Sequence, residues 1–450
     1  MVLSAAAYWL LFRPWSSAAL GFVLAASVWA TVDRSPWISN HWMLAFVVSL
    51  TILLAFVRAL LRDRGFRRPE LLRDLAPAVR LELLLFYLWS FFHKLNTDYL
   101  DAGVSCGSVL YQLLARKITF LPVTDWTMAV AIYGSLVVEL AIPLLLVPQR
   151  SRWAGLLLAA IFHFILGIGG FFNFSAYIFA LLFLFLPEDL PAVLGRGWGA
   201  SSLRRRLLAL GRPEVIARAY LWTTRGLLAI AIAILLSQTS WSGRERFRLL
   251  MLAREETRSI FSYVFEAIWW VGALLLAVVC WKAIRASRTG WGKAFRLLRP
   301  AHPVYALPLL LVFLNGLSPY LGLKTETSFA MFSNLRTEGR AWNHLILPGR
   351  LSLANYQDDL VAIESSADPE LQRLADVRYE IPYFEFRSYL SRMARSEPDP
   401  IRVTYRRAGE RRSIVDATRE PELVRPDSWW LRKLLYFRPV PSGEKTLCHH

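Results

Sequence analysis

Residues 127–148 read TMAVAIYGSLVVELAIPLLLVP, an apolar run interrupted by a single ionisable side chain, Glu139. A helix of about 20 such residues crosses the hydrocarbon core of a bilayer. The chain repeats this pattern, which predicts an all-α polytopic membrane bundle of about nine transmembrane helices within residues 1–320. The predicted spans are 16–33, 41–61, 78–95, 127–148, 153–170, 172–187, 222–239, 263–283 and 303–320.

The overall composition agrees with a membrane protein. Hydrophobic residues make up 55% of the chain and charged residues only 19%, whereas a soluble protein carries about 25% charged residues. Many of the basic residues behind the net charge of +18 lie in short loops between apolar runs. We therefore exclude nucleic acid as a partner and expect the lipid bilayer instead.

The loops alternate in their content of Arg and Lys, which predicts the orientation of the bundle. Basic residues collect in the loops that follow the second, fourth, sixth and eighth spans, and they are few after the first and fifth. Because basic loops stay on the cytoplasmic side, we expect a multi-pass protein with a cytoplasmic N-terminus and an extracytoplasmic C-terminal domain. The basic loops are 62–73, 150–152, 196–218 and 282–299.

From about residue 321 the chain turns polar, and residues 321–450 are predicted to form a small extramembrane domain of α+β or β-rich type. Ala408-Gly409 is a hairpin turn signal between the last two short strands. The predicted strands are 361–363, 378–381, 401–405 and 413–415.

Three cysteines form neither a disulfide framework nor a metal-binding pattern, and we expect no metal. Cys280 lies in an apolar run, so only Cys106 and Cys448 are candidates for a disulfide.

Four ionisable side chains within or beside spans indicate a candidate site, because such groups are costly in a membrane. Lys94 and His41 lie at span ends that share the outer face, and each taken alone is more often an ordinary interfacial residue. His163 and Glu139 lie inside spans, where a structural hydrogen bond is the alternative to function.

Four short stretches resemble the vitamin K-dependent gamma-carboxylase and its wider relatives, the horizontally transferred transmembrane domain (HTTM) proteins. Asn40-His41-Trp42 resembles the family's Asn-His-aromatic segment, and the stretch 93–99 is similar to its Lys-Lys-Leu-Asp-x-Asp-Trp segment. Phe162-His163 resembles its Phe-His segment, and 328–333 its Tyr-Ser-Trp-x-Met segment. The resemblance covers roughly residues 15–340.

This resemblance implies a lyase-like enzyme that uses a reduced vitamin K-type quinone with O₂ and CO₂. Lys94 matches the base that deprotonates the quinol, and burial can keep a lysine neutral, and so available as a base, by disfavouring its ammonium form. His41 and His163 complete the implied catalytic set. The implied substrate-binding residues are Asn40, Trp42, His93, Phe329 and Met331.

Two departures from the family pattern leave a second hypothesis open. His93 replaces the first lysine of the pair, and only about 130 residues follow the last predicted span. The alternative is therefore a non-catalytic membrane complex subunit or scaffold that keeps the fold. Its partners would be other membrane proteins, whereas the enzyme would take a quinone-like molecule and a protein substrate. A transporter is less favoured, because no inverted repeat is apparent.

Overall fold

A computed structural model of the chain describes residues 2–13, 15–62, 68–186, 298–339, 341–349, 351, 353–396, 400–443 and 445–448. The predicted spans at 222–239 and 263–283 lie outside these residues. All structural statements below refer to the described part of the chain.

Helices dominate the N-terminal part of the described chain. Three of its helices are long and apolar enough to cross a membrane, namely Asn40–Leu61, Glu70–His93 and Asp125–Leu146. The helices are α1 (Val2–Phe12), α2 (Ser17–Arg34), α3 (Asn40–Leu61), α4 (Arg68–His93), α5 (Thr97–Leu100), α6 (Cys106–Lys117), α7 (Asp125–Leu146), α8 (Arg152–Ile168), α9 (Phe172–Leu182) and α10 (Ala306–Leu317).

The described residues contain three helices of membrane-spanning length. The structure therefore supports membrane-spanning helices but not the predicted count of nine. The predicted spans at 153–170, 172–187 and 303–320 fold as shorter apolar helices. Gly170 explains the first break: it has φ +115°, a left-handed conformation that ends α8 before α9 begins. At 303–320, a 3₁₀ turn at Pro303–Tyr305 precedes α10 and shortens it.

Helix α4 lies at the centre of the helical region. It packs against α3, α7 and α10, and its residues Leu83, Phe86 and Tyr87 belong to the main apolar core. Gly316 allows α10 to approach closely, because a Cβ there would lie 2.3 Å from the ring of Trp89. Side chains on several faces of α4 are thus removed from lipid and solvent.

A five-stranded antiparallel sheet follows, with the order β4-β3-β1-β2-β5. Its first four strands confirm the predicted ones. Ala408 and Gly409 form the β3–β4 turn with φ 50° and 84°, as a two-residue hairpin requires. The strands are β1 (Leu360–Ser366), β2 (Tyr379–Pro382), β3 (Val403–Arg407), β4 (Glu410–Ile414) and β5 (Val440–Pro441).

Two helices, α11 (Pro369–Asp376) and α12 (Tyr383–Ser396), pack on this sheet, and the short helices α13 (Pro421–Val424) and α14 (Trp429–Leu434) follow β4. The inward-facing residues Val361, Val403 and Tyr405 form the core with Phe386 and Leu390 of α12. The result is the small α+β arrangement that the sequence predicts.

The end of the chain returns to the helical region. Cys448 forms a disulfide with Cys106 at the start of α6, as the elimination of Cys280 suggests. The Thr446 N–H donates to Asp98 Oδ2 at 2.8 Å, and Lys445 pairs with Asp101 at 2.5 Å. The sheet domain and the helical region are therefore joined at both of the domain's ends.

Candidate functional site

A cavity of about 1220 Å³ lies where the sheet domain meets the helical region. Its helical side is apolar and aromatic, with one imidazole, and its opposite side carries several charged groups. On the helical side it is lined by His41, Phe171, Phe172, Phe174, Met331 and Phe332. The charged lining comprises Glu326, Glu370, Arg373, Glu385, Arg392 and Arg438. Such a cavity suits an amphipathic molecule.

The segment 327–334 forms part of the cavity wall and has an unusual backbone. Thr327, Phe329, Phe332 and Asn334 have φ values between 53° and 68°. Non-glycine residues in this left-handed region cost about 1–2 kcal/mol each, so surrounding contacts must hold the segment in place.

Asn40 and His93 supply two of these contacts. Asn40 Oδ1 accepts the Phe329 N–H at 2.5 Å. His93 Nε2 donates to the Ser328 carbonyl at 3.1 Å, and its Nδ1 accepts the Tyr320 hydroxyl at 2.8 Å. The structure thus brings these predicted substrate-binding residues to one segment, where both hydrogen-bond protein groups. Asn40 also lines the cavity, whereas His93 does not.

Asn96 and Asn334 complete the attachment of the segment. Asn96 Nδ2 donates to the Ser333 carbonyl at 2.6 Å. Asn334 accepts the Cys106 N–H at 2.8 Å and donates to the Thr446 carbonyl at 2.9 Å. The strained segment is therefore fixed by both the helices and the C-terminal tail.

Lys94 lies immediately after α4 and is only 4% exposed. Its amine donates to both carboxylate oxygens of Glu139 at 2.7 Å and to the Ser90 hydroxyl at 2.9 Å. Glu139 is also buried, at 7% exposed. Because each charge compensates the other away from water, the two residues form one unit. The sequence indicates each of them separately but gives no sign of the pairing.

Lys94 does not line the cavity, although contacts connect the two. The ring of Phe332 lines the cavity, lies 4.9 Å from the ring of Phe171, and packs on the apolar cluster that contains Tyr99. The Lys94 amine lies 5.9 Å from the centroid of the Tyr99 ring. Phe332 and Tyr99 thus connect the cavity wall to the ion pair.

His41 and His163 both neighbour Phe174. The ring of His41 lies 6.2 Å from that of Phe174 and lines the cavity, and Ser39 Oγ hydrogen-bonds His41 Nδ1 at 2.9 Å. The ring of His163 lies 5.2 Å from Phe174. It is buried, and its Nε2 hydrogen-bonds the Tyr87 hydroxyl at 2.6 Å. Only His41 of the two reaches the cavity.

The remaining predicted site residues lie in different parts of the structure. Met331 lines the cavity. Phe329 is fully buried in the helical core, with its ring 5.1 Å from that of Phe86. Trp42 is 45% exposed and is not part of the cavity lining. Asn40, His41 and Met331 are therefore the predicted residues that a molecule in the cavity would contact.

No sequence motif marks the charged side of the cavity. Burial raises the pKa of Glu385 to about 7, and the Phe437 N–H donates to its Oε1 at 3.2 Å. Nearby, burial lowers the pKa of Lys324 to about 8, and its amine donates to Thr327 Oγ1 at 3.1 Å. Lys324 lies in a polar stretch and Glu385 between two phenylalanines of an amphipathic helix, so only tertiary packing reveals that both are removed from water.

Within the described ranges, no group of three or more His, Cys, Asp or Glu side chains could hold a metal ion. No protein-family model, curated protein or solved structure matches the chain.

Proposed function

We propose that this chain is a gamma-carboxylase-like membrane enzyme that oxygenates a reduced quinone, with Lys94 as the base. The observation that carries the proposal is the buried Lys94 amine, held 2.7 Å from Glu139. Glu139 is the proposed acceptor of the ammonium proton of Lys94. With the proton on Glu139, the amine is neutral and can remove the acidic proton of a quinol.

The cavity is the proposed quinone site. Its aromatic side, with Phe171, Phe174 and Met331, would pack on the quinone ring, and His41 would hydrogen-bond a ring oxygen. Phe332 is the proposed gate, because its ring belongs both to the cavity wall and to the cluster next to Lys94. Movement of this side chain would bring the quinol hydroxyl to the amine.

The proposed co-substrates are O₂ and, where an acceptor is carboxylated, CO₂. Quinone oxygenation needs only the cavity and the base. Carboxylation also requires an acceptor with an acidic C–H group, which we propose to enter from the charged side of the cavity. Arg373, Arg392 and Arg438 lie there and would attract a carboxylate.

We propose about nine spans, with the N-terminus cytoplasmic and the sheet domain extracytoplasmic. The disulfide between Cys106 and Cys448 supports this orientation, because disulfides persist in oxidising compartments. The basic loops on the other side of the predicted bundle support the same orientation.

The alternative function is a non-catalytic membrane complex subunit or scaffold. One observation favours it: protein groups already occupy Lys94 and both ring nitrogens of His93, and Lys94 lies outside the cavity lining. On this hypothesis the Lys94–Glu139 pair only fixes α4 against α7.

Quinol epoxidation by the purified protein distinguishes the two functions. The protein in lipid nanodiscs is given reduced vitamin K-type quinone and O₂, and the epoxide is quantified by chromatography. We expect Lys94→Ala to lower the rate by about 100-fold or more, the effect of losing a general base. Lys433→Ala is the matched control, since the Lys433 amine donates to the Asp33 carbonyl at the surface. Equal rates for wild type and Lys94→Ala would overturn the catalytic role of Lys94, and no epoxide from any variant would support the scaffold.

A further inference from the structure

Helix α4 carries buried polar side chains along much of its length. Glu82, Tyr87 and Ser90 are all buried, and Lys94 follows directly after the helix. At 1.5 Å per residue, Glu82 and Lys94 are about 18 Å apart along the helix axis. Ionisable groups in membrane helices are costly and often mark proton pathways. The neighbours of each group indicate whether they are connected.

The end of this series near Lys94 is closely connected. Ser90 Oγ donates to Glu139 Oε2 at 3.2 Å, in addition to the contacts that both residues make with Lys94. Tyr87 lies close enough to Glu139 to interact with it electrostatically, and its hydroxyl is 2.6 Å from His163 Nε2. Amine, carboxylate, phenol and imidazole thus follow one another on α4, α7 and α8.

The middle of the series contains polar atoms without a protein partner. Glu82 is fully buried and accepts a hydrogen bond from the Thr51 hydroxyl, and Tyr177 of α9 lies within electrostatic range of it. Among the described residues, four buried atoms here lack a partner: Glu82 Oε2, Tyr177 Oη, Ser175 Oγ and His163 Nδ1. Buried atoms of this kind are normally satisfied by ordered water, which also carries protons.

Helix α9 bridges the distance between Glu82 and His163. Phe174, three residues before Tyr177, has its ring 5.2 Å from that of His163, and Ser175 is fully buried beside it. Helix α9 therefore neighbours His163 through Phe174 and Glu82 through Tyr177.

The far end of the series reaches Asp74, near the start of α4. Asp74 pairs with Arg58 at 2.7 Å and accepts the Tyr305 hydroxyl at 2.5 Å. Its side chain is 21% exposed, so this end has access to solvent. From Asp74 to Lys94 the helix rises about 30 Å, the thickness of a bilayer core.

We infer that these groups form a proton path through the helical region, from Asp74 through Glu82 and the Tyr87–His163 pair to Glu139 and Lys94. Each group takes up one proton as it passes one on, so that no net charge accumulates. The existence of the path does not depend on the proposed function, but its role does. That role is to carry away the proton that Lys94 removes from the quinol.

Proton flux into liposomes tests the path without any quinol, because movement of the proposed gate Phe332 opens the Lys94 end to the cavity. The full-length protein is reconstituted with a pH-sensitive dye inside, and valinomycin with a potassium gradient drives proton entry. We expect wild-type liposomes to acidify faster than protein-free ones and Glu82→Gln to abolish the difference. Glu82→Asp, which keeps the carboxyl group, should retain most of the flux. Glu70→Gln is the matched control, because it is the same substitution at an exposed position of α4.

Two results would overturn the path: wild-type flux equal to that of protein-free liposomes, or undiminished flux in folded Glu82→Gln protein. Folding of each variant is checked by its elution volume and its unfolding temperature. Failure of the epoxidation assay leaves this test unaffected, because proton flux is measured in the absence of substrate.

Discussion

The helical region and the sheet domain use ion pairs in different ways. In the helical region, Lys94 and Glu139 have side chains only 5% and 9% exposed. In the sheet domain, Arg411 and Glu364 are 67% and 29% exposed at the same distance of 2.7 Å. Water can replace either partner of the exposed pair but neither partner of the buried one. Equal distances therefore do not mean equal energies.

Removal of one buried partner should have the largest effect. We expect Glu139→Leu to lower the free energy of unfolding by about 3–5 kcal/mol, because it leaves the Lys94 amine buried without a counter-charge. The double variant Lys94→Met with Glu139→Leu should recover most of this loss, since no charge then remains. The measurement is chemical unfolding in detergent micelles. A cost for Glu139→Leu as small as that for an exposed pair would remove the distinction between the two regions.

Glu385 sharpens the comparison, because it is a buried acid in the sheet domain. Burial is the main reason that its pKa is raised to about 7. The nearby Arg392 lowers this pKa, and Glu326 raises it further. The folded state therefore binds this proton more tightly than the unfolded state does. Stability from this group is complete at low pH and is lost as pH rises from about 4.5 to about 7.

The free energy of unfolding of wild type and of Glu385→Gln should accordingly diverge over that interval. We expect wild type to lose up to about 3 kcal/mol relative to the variant and the difference to be constant at higher pH. Parallel curves for the two proteins would show that Glu385 is as well hydrated as a surface acid.

The exposed pair should show the smallest effect. Arg411→Ala should change the free energy of unfolding by about 0–1 kcal/mol, because Glu364 keeps a second partner in Arg406 at 3.0 Å. The same unfolding measurement applies, with added salt as a control that should abolish any difference. A loss of unfolding free energy as large as that for Glu139→Leu would show that the exposed pair stabilises the protein as much as the buried pair does.

Local sequence patterns predict those parts of the fold that depend on neighbouring residues. Val361-Ala362-Ile363 is a short apolar run with two β-branched residues, and Ala408-Gly409 is a hairpin turn signal, so these strands and their turn could be predicted. Span lengths are less predictable. Gly170 ends α8 inside a continuous apolar run, and the 3₁₀ turn at Pro303 delays the start of α10.

The site could be predicted only in part. Lys94, Glu139 and His163 are evident as polar residues in apolar surroundings, but the partner of each depends on how α4, α7 and α8 cross. The left-handed residues from Thr327 to Asn334 have no signature in sequence, since glycine is the usual residue for that backbone. The resemblance implies that Asn40 and His93 bind substrate, but it does not reveal that both hydrogen-bond this segment.

The hydrogen bond from Asn334 to Thr446 and the disulfide at Cys448 set a time order on assembly. Ribosomes deliver the N-terminal helices first, whereas Cys448 is made 342 residues after its partner Cys106. The helical side of the cavity therefore exists before the residues that fasten the segment 327–334. A chain that stops before Thr446 lacks two of the contacts that hold the cavity wall in place.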